Sequence, residues 1–243
     1  MTREGRGAIS VVVPVFNARK YLEAALHSAL AQSVRPTEIL VVDDGSTDGS
    51  AELASGVDPS IKVVRQANAG PAAARNRGLE ECRGDFVAFL DADDLWPPDA
   101  LSLHLDRFDA NPEAAVSAGR VCLVREVAGE LQRFPESWYI LVVGCALTRR
   151  SVFDAVGPFD RSMSFGEDVD WFYRVRESGL VVDLHAGVTL LYRRHAANMT
   201  NEPGMGRRYF LLALKRSLDR RRTGAEPGST PKLEPWQPED TPR

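Results

Sequence analysis

Four short apolar segments, separated by helical patterns and each closed by polar or turn-forming residues, point to an α/β architecture. Ile9 to Val13 is a β-branched run of the kind a strand buried on both faces requires. Ile39–Val42, Ile61–Val64 and Phe86–Leu90 repeat the pattern. After the first, Tyr21, Leu22, Ala25, Leu26, Ala29 and Leu30 recur on one helical face, and Asn17 is the expected N-cap. A short helix is expected over Ser50–Ala54. An Ala-rich one follows from Pro71 to about Cys82, with proline in its first turn. Strands alternating with helices imply a mostly parallel sheet with right-handed crossovers.

Beyond Leu90 the pattern is less regular. Pro97–Phe108 reads as a helix turning Leu101, Leu105 and Phe108 inward. Val116–Glu126 and Leu131–Phe134 suggest a hairpin around Ala128-Gly129, and Ile140–Thr148 a strand broken at Gly144. Ser151–Val156 and Glu167–Ser178 read as helices, the second with Asp168, Trp171, Phe172 and Val175 on one side. Val181–Leu184 and Val188–Tyr192 read as strands, and Met205–Arg222 as a basic helix. The tail from Thr223, rich in proline and charge, is expected to be disordered.

Composition narrows the function classes. A chain of 243 residues, 44% hydrophobic and 26% charged, is long enough for one large α/β domain. A net charge of −4 gives no electrostatic reason to expect nucleic acid as a partner. Cys82, Cys122 and Cys145 are odd in number and lack Cys-x-x-Cys spacing, which argues against a disulfide framework or a zinc site. The opening MTREGRGA lacks the apolar core of a signal peptide, and no run approaches a membrane span, so a cytoplasmic protein is expected.

In an open parallel sheet, ligands bind at the carboxyl ends of the strands. Three strands here end in Pro14-Val15-Phe16-Asn17, Asp43-Asp44-Gly45-Ser46 and Asp91-Ala92-Asp93-Asp94, which strand–turn–helix geometry would place on one rim. Carboxylates packed as tightly as Asp91, Asp93 and Asp94 repel one another, and Mg²⁺ or Mn²⁺ would relieve that repulsion, with a diphosphate completing the shell. The plainer reading is a polar turn capping the next helix from Asp94; three converging loops favour the metal. The spacing Asp44, Ser46, Asp48, Gly49 resembles a calcium loop, but its twelfth position is Ser55 rather than a bidentate glutamate. A carboxylate at this second strand end instead suits a base or ribose, with helix capping as the alternative.

In order, Val13-Pro14-Val15-Phe16-Asn17, Val41 to Asp48, Asn68-Ala69-Gly70-Pro71 to Gly78 and Leu90-Asp91-Ala92-Asp93-Asp94 closely resemble family 2 glycosyltransferases. These are inverting enzymes with the glycosyltransferase-A fold, a Rossmann-like, mostly parallel sheet flanked by helices. The resemblance is strongest over residues 8 to 98 and looser to about 200. It implies a nucleotide-sugar-binding half over 1–98, a compact mixed acceptor-binding half over 99–204, the basic helix 205–222 and a tail 223–243. Pro14, Phe16 and Asn17 would border the nucleoside, Asp44 would bond the base, Arg75 would approach the nucleotide and Asp91 the ribose. Asp93 would bind the metal, and Asp94 would share that role.

Phe165-Gly166-Glu167-Asp168-Val169-Asp170-Trp171 looks like the family's acceptor-site motif. By that resemblance Asp168 is the catalytic base, with Glu167 and Trp171 as acceptor contacts or supports. A helix N-terminus would favour its ionised form. The alternative is plain capping of the helix; the family-like Gly157-Pro158-Phe159-Asp160 upstream favours function. Tyr192-Arg193-Arg194-His195 resembles a late segment in which the histidine approaches the diphosphate or metal, whereas His27, His104 and His185 lack supporting neighbours. Trp96 suits either a sugar-pocket wall or the core.

The activity implied is metal-dependent, inverting sugar transfer of the hexosyltransferase type. The donor would be a nucleotide sugar, UDP preferred, and the acceptor a glycan, a lipid-linked sugar or a peptide. Two rivals are weaker: a sugar nucleotidyltransferase would need a Gly-rich phosphate loop after the first strand, and a sugar-nucleotide sensor or scaffold would not need every catalytic group. For the basic helix, docking on the core with a solvated face is preferred over peripheral contact with the inner face of a membrane.

Overall fold

In the computed structural model, residues 6–140 and 142–223 are described, so the expected disorder of 224–243 lies outside the described residues. The alternating half consists of β1 (Ile9–Val15), α1 (Arg19–Leu30), β2 (Glu38–Asp43), α2 (Ser50–Val57), β3 (Ile61–Arg65), α3 (Pro71–Glu81) and β4 (Phe86–Phe89). It continues through α4 (Ala100–Ala110), β5 (Ala114–Val127), β6 (Glu130–Trp138), β7 (Ala146–Arg149), α5 (Ser151–Val156), α6 (Glu167–Glu177), β8 (Val181–Arg194) and α7 (Met205–Thr223).

One eight-stranded sheet runs β3-β2-β1-β4-β7-β5-β6, with β8 also paired to β5. β3, β2, β1 and β4 are mutually parallel, as expected. β7 enters antiparallel between β4 and β5, which makes the sheet mixed. The β-branched run of β1 is buried on both faces because helices cover both. Val11, Val13 and Val15 join Leu22 and Leu26 of α1 in one core, while Val12 joins Ala72 and Ala74 of α3 in the other. Each such valine or leucine contributes roughly 1.5–3 kcal/mol by leaving water. Parallel register aligns Val15 with Asp43 and Asp43 with Arg65, so the loops after these strands leave the sheet together.

Several elements differ from the sequence expectation. Asn17 does not cap α1; Ala18 holds that position, and Asn17 sits at φ 50°, a left-handed conformation that asparagine tolerates. α4 starts at Ala100 rather than Pro97, since Pro98 disfavours a helical residue before it. The break at Gly144 is one 3-10 turn, Val143–Cys145, leading into β7. The two late strands are one, β8, which keeps pairing with β5 across irregularities in register. The hairpin at Ala128-Gly129 forms as expected, both residues having positive φ.

α7 docks on α6. Ala213 and Ser217 are buried, Arg216 pairs with Asp160, and Arg220 bonds Asp170 at 2.8 Å and Glu177 at 2.7 Å. Part of the basic face is therefore spent on internal ion pairs. Among the described residues no helix is long and apolar enough to cross a membrane.

Candidate active site

At the ends of β1 and β2 the loops lock together. The Asn17 backbone N–H donates to Ser46 Oγ at 3.0 Å, and Asn17 Oδ1 accepts the Thr47 N–H at 2.8 Å. Asp44 is 3% exposed and grips the loop before α3: Oδ1 accepts from Gln66 Nε2 at 2.7 Å and Ala69 N–H at 2.9 Å, and Oδ2 from Gly70 N–H at 2.8 Å. Its visible task is to hold residues 66–70, a role the expectation of a direct base contact left out. Gly45 lets the two loops meet, because at φ 82° a Cβ there would lie 2.9 Å from the Asn68 backbone nitrogen. Phe16 stands 53% exposed beside this junction, and Pro14 is partly buried.

At the end of β4, Asp91, Asp93 and Asp94 occupy a turn closed by Asp94 N–H on the Asp91 carbonyl at 3.0 Å. The turn separates their roles. Asp93 Oδ2 lies 2.9 Å from His195 Nε2. Burial raises the Asp93 pKa, as does Asp91 nearby, while His195 opposes the rise. Asp94 is 2% exposed and accepts the Arg193 N–H at 2.9 Å, which anchors the end of β8. Burial, then Asp93 and Asp91, push its carboxyl well above the usual range. Beside the metal role expected of it, Asp94 thus has a structural one, because one of its oxygens holds the end of β8.

Among the described residues no three His, Cys, Asp or Glu side chains gather as a metal-holding group. Asp93 and His195 nevertheless suit a hard or borderline divalent cation, which needs few protein ligands where substrate phosphates supply the rest. Three neighbouring acidic groups, two with raised pKa, are the electrostatic reason to place a cation there.

Arg75 joins this turn to α6. It is 5% exposed; Nη2 donates to Asp91 Oδ1 at 2.6 Å and Nη1 to Glu167 Oε1. Burial works against its charge, but Asp91, Glu167 and Asp168 outweigh that and raise its pKa. Arg75 was expected to approach the nucleotide; in the structure its two terminal nitrogens bond carboxylates, so it braces the turn against α6. Glu167 opens α6 after Gly166, whose φ of 74° and 3.2 Å clearance from Tyr209 Cβ favour glycine. Asp168 Oδ1 accepts the Val169 N–H at 2.8 Å. Burial first, and Glu167 next, push the Asp168 carboxyl up to about 7, with Arg75 opposing. Burial and Glu167 therefore work against the ionised form that a helix N-terminus favours.

Trp171 is fully buried, stacks on Phe153 at 4.7 Å and donates Nε1–H to the Gly157 carbonyl at 3.2 Å. It is core, and its expected acceptor contact is corrected. Trp96 is also core, 5% exposed and bonded to the Gly144 carbonyl at 2.9 Å. His104 and His185 do have partners: Nδ1 of His104 lies 2.9 Å from Ser117 Oγ and 3.2 Å from His185 Nε2. Sequence reasoning missed Gln66, Tyr21 and Asn198. The last accepts the His195 N–H at 2.6 Å through Oδ1, and only its place three residues after His195 hinted at this.

The family profile "Glycosyl transferase family 2" matches residues 10–141, more than half of the chain. The putative teichuronic acid biosynthesis glycosyltransferase TuaG of Bacillus subtilis is 40% identical over 136 residues, 53% of this chain and 54% of TuaG. The uncharacterized glycosyltransferase RP339 of Rickettsia prowazekii is 30% identical, covering 79% of this chain and 66% of its own. The chain thus spans about half to two thirds of the length of these curated relatives. In three dimensions it is similar to residues 1–349 of S. aureus TarS in complex with UDP-GlcNAc. The TM-score is 0.72 at 20% identity, covering 86% of this chain and 65% of that one. This likeness supports the fold.

Proposed function

The chain belongs to glycosyl transferase family 2, and from that membership we propose that it transfers a sugar from a nucleotide sugar to an acceptor hydroxyl with inversion. The observation that carries this reading is the Arg75 brace, which holds Asp91 at the end of β4 and Glu167 at the start of α6 on one guanidinium. The strand end that would face the diphosphate and the helix start that carries the proposed base are thereby tied to each other.

Asp168 is the proposed base. Its Oδ1 is held by Val169 N–H, which leaves Oδ2 to take the acceptor proton. A carboxyl raised to about 7 is a stronger base than an ordinary aspartate. As the proton moves to Asp168, the acceptor oxygen bonds to the anomeric carbon and the bond to the diphosphate oxygen breaks on the opposite face. Glu167, fixed by Arg75, keeps the start of α6 in place during the attack. Phe16 offers a face to the nucleoside, and the Asp44-held loop shapes the pocket beside it. Asp93 and His195 would hold Mn²⁺ or Mg²⁺, which when bound would supply positive charge against the departing diphosphate.

A UDP-sugar is the donor proposed, in keeping with the UDP-GlcNAc bound by TarS. A glycan or lipid-linked glycan acceptor is in keeping with the name of TuaG. The test is a panel of nucleotide sugars with Mn²⁺, followed by thermal shift, then donor turnover, then mass spectrometry of acceptors. Turnover of one donor with a matching mass gain on an acceptor supports the proposal. Tight nucleotide binding with neither slow donor hydrolysis nor transfer across the acceptors would replace it with a sensor or scaffold.

A further inference from the structure

A histidine that serves a metal is usually fixed through its second ring nitrogen, which donates to a carboxylate, a carbonyl or water. His195 departs from this. Its Nε2 faces Asp93 Oδ2 at 2.9 Å, but its Nδ1 is buried with no hydrogen-bond partner. Asn198 Oδ1 holds the His195 backbone N–H at 2.6 Å, and Asn198 Nδ2 approaches the same Nε2 at 3.2 Å. Neither contact engages Nδ1.

The ring does have an aromatic neighbour. Tyr21, in the first turn of α1, stacks on His195 with centroids 4.4 Å apart and planes 23° apart. The Arg193 guanidinium lies 5.0 Å from the same ring. Leu22, Ala25 and Leu26, next on α1, are wholly buried, so the platform under Tyr21 is rigid.

We propose that Tyr21 is a positioning residue, whose ring orients the His195 imidazole toward Asp93 in place of a hydrogen bond to Nδ1. The proposal rests on the reading of Asp93 and His195 as cation ligands. Tyr21 belongs to the helix after β1 and His195 to the end of β8, so the stack ties the first crossover of the fold to its last strand. Loss of the ring would free the imidazole to turn about its side-chain bonds and thin out the population facing Asp93.

The test uses the full chain and Mn²⁺, alone and again with UDP to supply phosphate oxygens, with free Mn²⁺ followed by electron paramagnetic resonance. Partners that orient a metal ligand typically change affinity about 10–100-fold, so Tyr21→Leu should weaken Mn²⁺ binding by about tenfold or more. Tyr21→Phe, which keeps the ring, should stay within about twofold of wild type. Tyr21→Met, unbranched and adaptable, takes the place of the leucine variant if that one does not fold. Metal-free melting curves separate a structural role, which would lower the melting point yet leave Mn²⁺ affinity of the folded protein unmoved. Equal affinity in Tyr21→Leu and wild type overturns the inference and leaves the cation reading standing. Equal loss in Phe and Leu variants also overturns it, since the ring would not be the cause. A wild-type protein that binds no Mn²⁺ removes the cation reading and the inference together.

Discussion

Arg75 of α3 donates to the Glu167 carboxylate of α6 across 92 positions of sequence, and both side chains are buried. The same guanidinium holds Asp91, so one cation bridges two carboxylates, one at a strand end and one at a helix start, and leaves one negative charge in excess.

Removing Arg75 strands Glu167, which is 4% exposed, without its counter-charge. Breaking a buried pair from one side costs about 3–5 kcal/mol, so Arg75→Met should lose that much in urea unfolding at neutral pH. The double variant Arg75→Met with Glu167→Met should recover much of the loss, because the buried charge goes with its partner. Wild-type stability in the single variant would show that the bridge does not hold the two elements.

The raised Asp168 pKa carries a signed prediction. The base acts deprotonated, so kcat/KM should climb tenfold per pH unit at low pH and level off above about 7. Arg75 opposes the rise, so in a folded Arg75→Lys variant with a weaker contact the bend should move to higher pH. Asp168→Asn should lower transfer by roughly 10²–10⁴-fold while nucleotide affinity is kept. A profile flat from pH 5 to 8, or an active Asp168→Asn enzyme, contradicts the assignment.

Asp93 and Asp94 should separate under mutation. Asp93→Ala is expected to weaken Mn²⁺-dependent nucleotide binding in calorimetry. Asp94→Asn keeps an oxygen for the Arg193 N–H and sheds a buried acid, so metal affinity and melting temperature should stay near wild type. Asp94→Ala leaves that N–H unpaired at a cost of about 1–3 kcal/mol. Loss of metal binding in Asp94→Asn would place Asp94 in the ligand set.

Gly45→Ala tests the junction beside Phe16. A left-handed residue with a Cβ costs roughly 1–2 kcal/mol, and here the new carbon would also crowd the Asn68 nitrogen. Nucleotide affinity should fall with stability, because the loop that Asp44 holds must shift. Unaltered affinity by calorimetry would place the nucleotide elsewhere.

Much of this is legible in the amino-acid sequence. The apolar runs of β1 to β4 and their helices were readable because burial on two faces leaves a continuous hydrophobic signature. The three polar strand ends were readable because parallel strands deliver their carboxyl ends to one rim. Arg75 was singled out, but its partners were not: nothing local in Pro71–Glu81 reveals a carboxylate from α6. Trp171 misled because an aromatic beside an acidic pair looks the same in sequence whether it faces a ligand or Phe153.

The linear sequence thus determined the α/β alternation, the family and the set of acidic groups, since these depend on periodicity and short-range turn chemistry. Only the folded chain decided how those groups divide the work. Asp94 became an anchor for β8, Arg75 a brace between Asp91 and Glu167, and Tyr21 a platform for His195. Ionisation and orientation depend on distance and burial, and those are properties of residues that meet in space after long stretches of intervening chain.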